Sequence, residues 1–284
     1  MSTKHASGHQ LHVSLGDGLW DALHNLAERT GESVSHIVRR SLADSLDLDH
    51  HTIYQVSTSG ALVEGVYQGC VRVADLKGHG DFGIGTFDGL DGEGIMLDGI
   101  CWQARADGSV RVAPDTALAP FWATTFFAAD STTTLQRVRS WDDLSRQLDQ
   151  LRRSDNLFCA IRIDGVFETI HYRVARKSAY GTDLVTATSH QPEFRESSVR
   201  GSLVGFWTPS YARTINVPGY HLHLLSDDHQ KGGHILDLQA SDLSVKLHMD
   251  NHVHLALPET PSFLTADLQR DSAEDLAKAE RKNN

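Results

Sequence analysis

The sequence predicts an α/β protein in which a sheet-rich body follows a small strand–helix–helix arm. Three observations carry this reading. Residues 1–50 contain two short apolar stripes at helical spacing. From Ile53 onward, short apolar-alternating segments are separated by glycine turns. One strongly amphipathic helix, SWDDLSRQLDQLRR, interrupts them at Ser140–Arg153. With 284 residues, 40% of them apolar and 22% charged, the chain can bury a substantial core, as one large domain or two ordinary ones.

The arm comes first. Leu11, Val13 and Leu15 alternate with His12 and Ser14, which predicts a half-exposed strand. Leu19, Leu23, Leu26 and Ala27 then form a helical stripe, closed by Thr30-Gly31 with Gly31 as the C-terminal cap. Ser33 can cap a second helix whose apolar face is Val34, Ile37, Val38 and Leu42. Asp47–Thr52 (DLDHHT) reads as a linker, dividing an arm at residues 1–50 from a body at 51–284.

In the body, VYQGCVRVADL, GIGTF, GIMLDGICWQA and SVRVAP are predicted strands. Ser140 caps the amphipathic helix, and Asp142 and Asp143 lie in its first turn, where the helix dipole favours acids. LFCAIRIDGVFETIHYRVAR reads as a hairpin about Asp164-Gly165. SLVGFWTPSY, HLHLL, HILDLQ, LSVKLHM and HVHLAL are again strands, and a charged helix is expected from Leu264 onward.

The formal net charge of −11 argues against a general attraction to nucleic acid or anionic membrane. No apolar run approaches the ~20 residues that cross a bilayer, and MSTKHASGHQ lacks the apolar core of a signal peptide. Cys70, Cys101 and Cys159 are widely spaced, without CxxC, and read as reduced thiols of a cytoplasmic protein. The glycine-rich HGDFGIGTFDGLDGEG lacks the GK[ST] of a phosphate loop, so its glycines read as turn residues.

The 17 histidines direct attention to metal chemistry. His221 and His223 in GYHLHLLSDD are two apart, so a strand points both to one face while Leu222 and Leu224 pack on the other. With a turn near Asp228, His234 returns beside His223. Three imidazoles on adjacent strands make the usual protein share of a catalytic zinc site, with positions left for substrate. HVH at His252 and His254, with His248 nearby, is a rival of the same form, and composition does not choose between them.

The surrounding residues do choose. INVPGYHLHLLSDDHQKGGHILD and HGDFGIGTFDGLDGEGIMLDG, in this case residues 215–237 and 79–99, resemble the signature blocks of the acetolactate decarboxylase family in order and spacing. The resemblance runs from about Ile53 to the C-terminus and implies a two-part body, a mixed β-sheet plus a smaller β subdomain. It implies decarboxylation of 2-acetolactate to acetoin and CO2 through an enediolate stabilised by a divalent ion, Zn2+ foremost, and a homodimer or higher homo-oligomer. It places the metal ligands on His221, His223 and His234, an essential glutamate on Glu93 and a substrate contact on Thr86. It assigns an arginine to Arg173, which fits better than Arg176, and a C-terminal glutamate to Glu280, with Glu274 and Glu259 as rivals.

Residues 1–50 resemble a ribbon–helix–helix module instead. That unit pairs two chains through strands and interlocked helices, and its paired strands can read DNA. Here Lys4, Arg29, Arg39 and Arg40 face Asp17, Asp21, Glu28, Glu32, Asp44, Asp47 and Asp49, and the outward strand residues Gln10, His12 and Ser14 include no cation to hold phosphate. Self-association therefore stands ahead of DNA binding. Two competing functions remain at this level. One is a metal-responsive ribbon–helix–helix regulator. The other is a cupin-like metalloenzyme, since Asp227 follows the HxH pair.

Overall fold

A computed structural model describes residues 11–31, 33–46, 51–270 and 272–280. The chain divides into two compact units, Met1–His50 and His51–Asn284.

The first unit contains helices α1 (Asp17–Thr30) and α2 (Val34–Ser45). Gly31 adopts the left-handed conformation and returns its N–H to Ala27, and Ser33 Oγ accepts from His36 N. The strand expected at Leu11–Leu15 does not form. A strand needs a hydrogen-bonded neighbour, and this unit has no other strand among the described residues. Leu11 and Val13 are 75% and 64% exposed.

The second unit opens with β1 (Thr52–Val56), α3 (Ser59–Val63), β2 (Val71–Arg72), α4 (Val73–Leu76), β3 (Phe82–Thr86), β4 (Glu93–Leu97) and β5 (Ile100–Ala104). It continues through β6 (Val110–Val112), β7 (Leu118–Ala119), β8 (Phe121–Thr125), β9 (Ser131–Val138), α5 (Trp141–Leu151), β10 (Phe158–Arg173) and α6 (Leu184–Thr188). It ends with β11 (Glu193–Thr208), β12 (Gly219–Ser226), β13 (Gly232–Asp250), β14 (His252–Ala256), α7 (Pro261–Thr265) and α8 (Ala273–Glu280). One mixed sheet runs β14-β1-β8-β3-β4-β5-β6, parallel only at β1–β14. A second runs β10-β11-β12-β13-β9, and β10 also pairs with β13, so four strands close on themselves. A small sheet joins β2 to β7.

The main core lies between the inner faces of the two large sheets. Ile53, Phe82, Ile84 and Ile95 meet Ile161, Leu203, Phe206, Leu222 and Leu224. Helix α5 seals one side, with Ser140 Oγ capping Asp143 N and Leu144 and Leu148 fully buried. Each such leucine contributes about 1.5–3 kcal/mol through burial. A second cluster gathers α3, α6 and α8 around Tyr67, Leu90, Phe121, Ala175 and Val217.

In the second unit, three further elements differ from the sequence expectation. VYQGCVRVADL supplies only the two-residue β2. It then turns into α4, because Val73 and Leu76 at helical spacing are both fully buried. The hairpin expected at Asp164-Gly165 is instead the middle of the 16-residue β10. Asp164 is held by Arg162, Ser202 and Lys246, and Gly165 lies where a Cβ would sit 2.5 Å from Leu243 Cδ2. The dipeptide therefore marks a bulge against β13 and a close approach, not a turn. The charged C-terminal helix is two short ones. Pro261 starts α7, the chain is extended at Ala266, and Arg270 pins the connection by pairing with Glu64 and Asp275 before α8 begins.

Candidate metal centre

Strands β12, β13 and β10 meet at one end of the second sheet. His223 pairs across β12–β13 with His234, and His234 pairs on its other side with Arg173 of β10. Residues directly opposite in a sheet project to the same face, so this register alone groups His223, His234 and Arg173. His221, two residues before His223, joins them. One ring nitrogen from each of His221, His223 and His234 lies within 4.8 Å of the others. The Nε2 atoms of His221 and His223 are 3.1 Å apart.

The surroundings prepare these rings to act as ligands. Burial depresses all three imidazole pKa values, and the Arg173 charge adds to the effect. His223 is lowered to about 4, and His221 and His234 lie well below their usual range. A neutral imidazole is the form that binds a cation. His223 Nδ1 donates to the carbonyl of Gly94 at 3.0 Å, which leaves the Nε2 lone pair facing the cluster. Three neutral nitrogen donors with carboxylates beside them fit a divalent transition ion and leave coordination positions for a substrate.

Two carboxylates front the cluster. Glu93 begins β4 and is buried, with Oε2 3.6 Å from His223 Nε2 and Oε1 accepting from the backbone N–H of Ala175 at 2.8 Å. Burial raises its pKa to about 7, against the pull of the Ala175 hydrogen bond and Arg173. Gly92 makes this placement possible. Its φ is +90°, and a Cβ there would meet the Ala104 carbonyl at 2.0 Å. Thr86 pairs with Glu93 across β3–β4 and donates from Oγ1 to Gly92 O, so it fixes the turn that carries the glutamate. Glu280, at the end of α8, places Oε2 3.5 Å from His234 Nε2 and 3.4 Å from an Arg173 guanidinium nitrogen. Burial raises its pKa as well. Leu276 and Ala279 of α8 are buried against the second core cluster, which anchors the helix over the site.

A cavity of about 60 Å³ holds these seven residues in its wall, together with Phe121, Leu184, Gln191 and Val217. The rivals lie elsewhere. Arg176, Glu274 and Glu259 are exposed and line no part of it. His252 and His254 are exposed on the edge strand β14, and buried His248 approaches Asp250 and the Ala128 carbonyl. Sequence reasoning missed the Ala175 amide, which carries no side-chain signal. It also missed Gln191, which sits in the connection between α6 and β11, outside any motif.

Residues 53–270 match the family described as Alpha-acetolactate decarboxylase. The chain belongs to the alpha-acetolactate decarboxylase family. It is 40% identical over 251 residues to an alpha-acetolactate decarboxylase of Methanosarcina mazei, covering 88% of this chain and 86% of that one. It is 41% identical to one from Raoultella terrigena, covering 81% and 90%. The crystal structure of the Bacillus subtilis strain 168 alpha-acetolactate decarboxylase superposes with a TM-score of 0.79 at 38% identity, spanning 81% of this chain and all of that one. Within this alpha-acetolactate decarboxylase fold, the matched residues include all three histidines, Thr86, Glu93 and Arg173. Glu280 lies beyond the matched segment, and so does the first unit.

Proposed function

We propose that the chain is a metal-dependent carboxy-lyase that converts 2-acetolactate to acetoin and CO2. The observation that carries this reading is the grouping of His221, His223 and His234 against Glu93, inside the segment that matches the family. We propose these histidines as the ligands of a divalent ion, Zn2+ foremost. When bound, the ion would polarise the substrate's hydroxyl and keto oxygens and lower the energy of the negative charge left by decarboxylation.

The chain's own groups account for the rest. Arg173 presents its guanidinium to the cavity, where it can orient the substrate carboxylate. As the bond to that carboxylate breaks, CO2 leaves and the electron pair stays on the substrate, delocalised into the neighbouring ketone. Carbon must then be protonated on one face. Glu93, with its pKa near 7 and its Oε1 held by Ala175 N–H, can keep a proton at Oε2 and deliver it to the face it fronts. Thr86 keeps Glu93 in place through Gly92. Glu280 balances Arg173 and closes the site beside His234.

For the first unit we propose self-association of a ribbon–helix–helix kind. No residue of α1 is buried, and Leu19 and Trp20 are exposed. Catalysis is tested by incubating the purified protein with racemic acetolactate and measuring acetoin. Acetoin should appear, vanish with a strong chelator and return on addition of zinc. Undiminished activity in protein shown to be metal-free rules the mechanism out.

A further inference from the structure

The wall of the metal cavity contains two buried polar atoms without a hydrogen-bond partner, beyond those of the histidines. One is Nε of Arg173, a donor, and the other is Oε1 of Gln191, an acceptor. A buried unsatisfied polar atom destabilises the fold, and such a cost persists most readily where a ligand removes it. The other hydroxyl-bearing or carboxylate groups in this wall are already engaged. Thr86 bonds Gly92 O, Thr188 bonds Leu184 O, Glu93 accepts from Ala175, and Glu280 lies against Arg173 and His234.

The backbone holds Gln191 firmly. Pro192 follows it, which confines residue 191 to extended conformations, and the Pro192 carbonyl accepts the N–H of Val174. That bond ties Gln191 to the stretch containing both Arg173 and the Ala175 amide that holds Glu93. The glutamine is thus built into the same frame as the groups assigned to the chemistry.

We propose that Gln191 is a substrate-positioning residue whose side-chain amide accepts a hydrogen bond from the substrate's tertiary hydroxyl while Arg173 takes the carboxylate. This rests on the reading of the site as a 2-hydroxy acid decarboxylase. A 2-hydroxy acid offers one strong acceptor and one donor on adjacent carbons, which complements the unsatisfied donor and acceptor in this wall. The same pairing would orient the bond to the carboxylate before it breaks, and would discriminate against acids that lack the hydroxyl.

The test uses the full-length, metal-loaded protein and its Gln191→Leu variant, each with metal content and Tm recorded. Binding of 2-hydroxyisobutyrate and of isobutyrate, which lacks the hydroxyl, is measured by calorimetry and by competition. Wild type should prefer the hydroxy acid by roughly tenfold or more. The leucine variant should lose roughly tenfold of this preference, leaving only what coordination of the hydroxyl to the metal provides, with affinity for isobutyrate unchanged. KM for acetolactate should rise roughly tenfold to a hundredfold in the variant, more than kcat falls. The proposal is overturned if wild type shows no preference, if the preference survives undiminished in Gln191→Leu, or if the variant loses both acids equally with its metal retained. Because the two acids are not turned over, this result is independent of whether acetolactate itself is decarboxylated.

Discussion

Burial holds His221, His223 and His234 in the neutral form, and only that form can donate a lone pair to a cation. The exposed pair His252 and His254 has the same spacing in the chain but belongs to no three-ligand group among the described residues. The HxH pattern was therefore legible from the sequence as two equal candidates, and the flanking residues, not the histidines, separated them. This gives a direct expectation. His221→Ala, His223→Ala and His234→Ala should each lose most of their bound metal by elemental analysis, whereas His252→Ala and His254→Ala should keep it. Metal retained in the first three places the ion elsewhere. For Glu93 the family-like GLDGE block pointed to the residue, but its environment was not legible from the sequence, and only the Ala175 amide and the enclosing wall show it buried.

Asp164-Gly165 shows how an element can override its local signal. The dipeptide is a strong turn former, yet β10 passes straight through it, paired on both sides by β11 and β13. A strand with two neighbours gains ladder hydrogen bonds and burial along its whole length, and this outweighs a two-residue preference. Asp164 then serves the sheet. Burial alone would raise its pKa, but hydrogen bonds from Lys246, Ser202 and Arg162 overcome that, and the folded value lies below the ordinary one. A depressed carboxylate stabilises the fold above its unfolded pKa of ~3.9, and the contribution is lost as pH falls through the folded value. Asp164→Asn should therefore destabilise the protein by about 1–3 kcal/mol near pH 7. The difference from wild type in urea titrations should shrink steadily as pH is lowered from about 5 toward 3. A gap that stays constant over that range would show that the charge contributes nothing. Helix α5 is the opposite case, since its cap, acidic first turn and apolar stripe were all readable and all agree with the structure.

For the whole molecule, the two units differ in how they bury apolar surface. The second encloses its own core between two large sheets. The first leaves α1 without a buried residue and the Leu11–Leu15 segment without a ladder partner. A pair of short helices alone gains too little from burial to offset chain entropy, which motivates the proposal that arms of different chains combine. Deleting residues 1–48 should leave an active, metal-loaded enzyme while lowering the mass per particle measured by light scattering. An unchanged assembly, apart from the missing residues, means that the arm pairs only within an existing oligomer or not at all. Lost activity in a folded truncation would place the arm in the catalytic unit.

Local pattern was enough for features whose cause is local. Helix caps at Gly31, Ser33 and Ser140, the strand period that aligns His221 with His223, and the turn length that brings His234 opposite His223 all depend on residues within about one turn of each other. The family-like blocks added the chemistry those residues serve. Tertiary packing was needed wherever the deciding partner is distant in sequence. Leu243 and Lys246 keep Asp164-Gly165 in a strand, Ala175 orients Glu93 from 82 residues away, and the docking of α8 selects Glu280 over Glu274. Burial sets the protonation of a histidine or glutamate, and burial is a property of what the rest of the chain lays over it. No window of sequence around the residue contains that information.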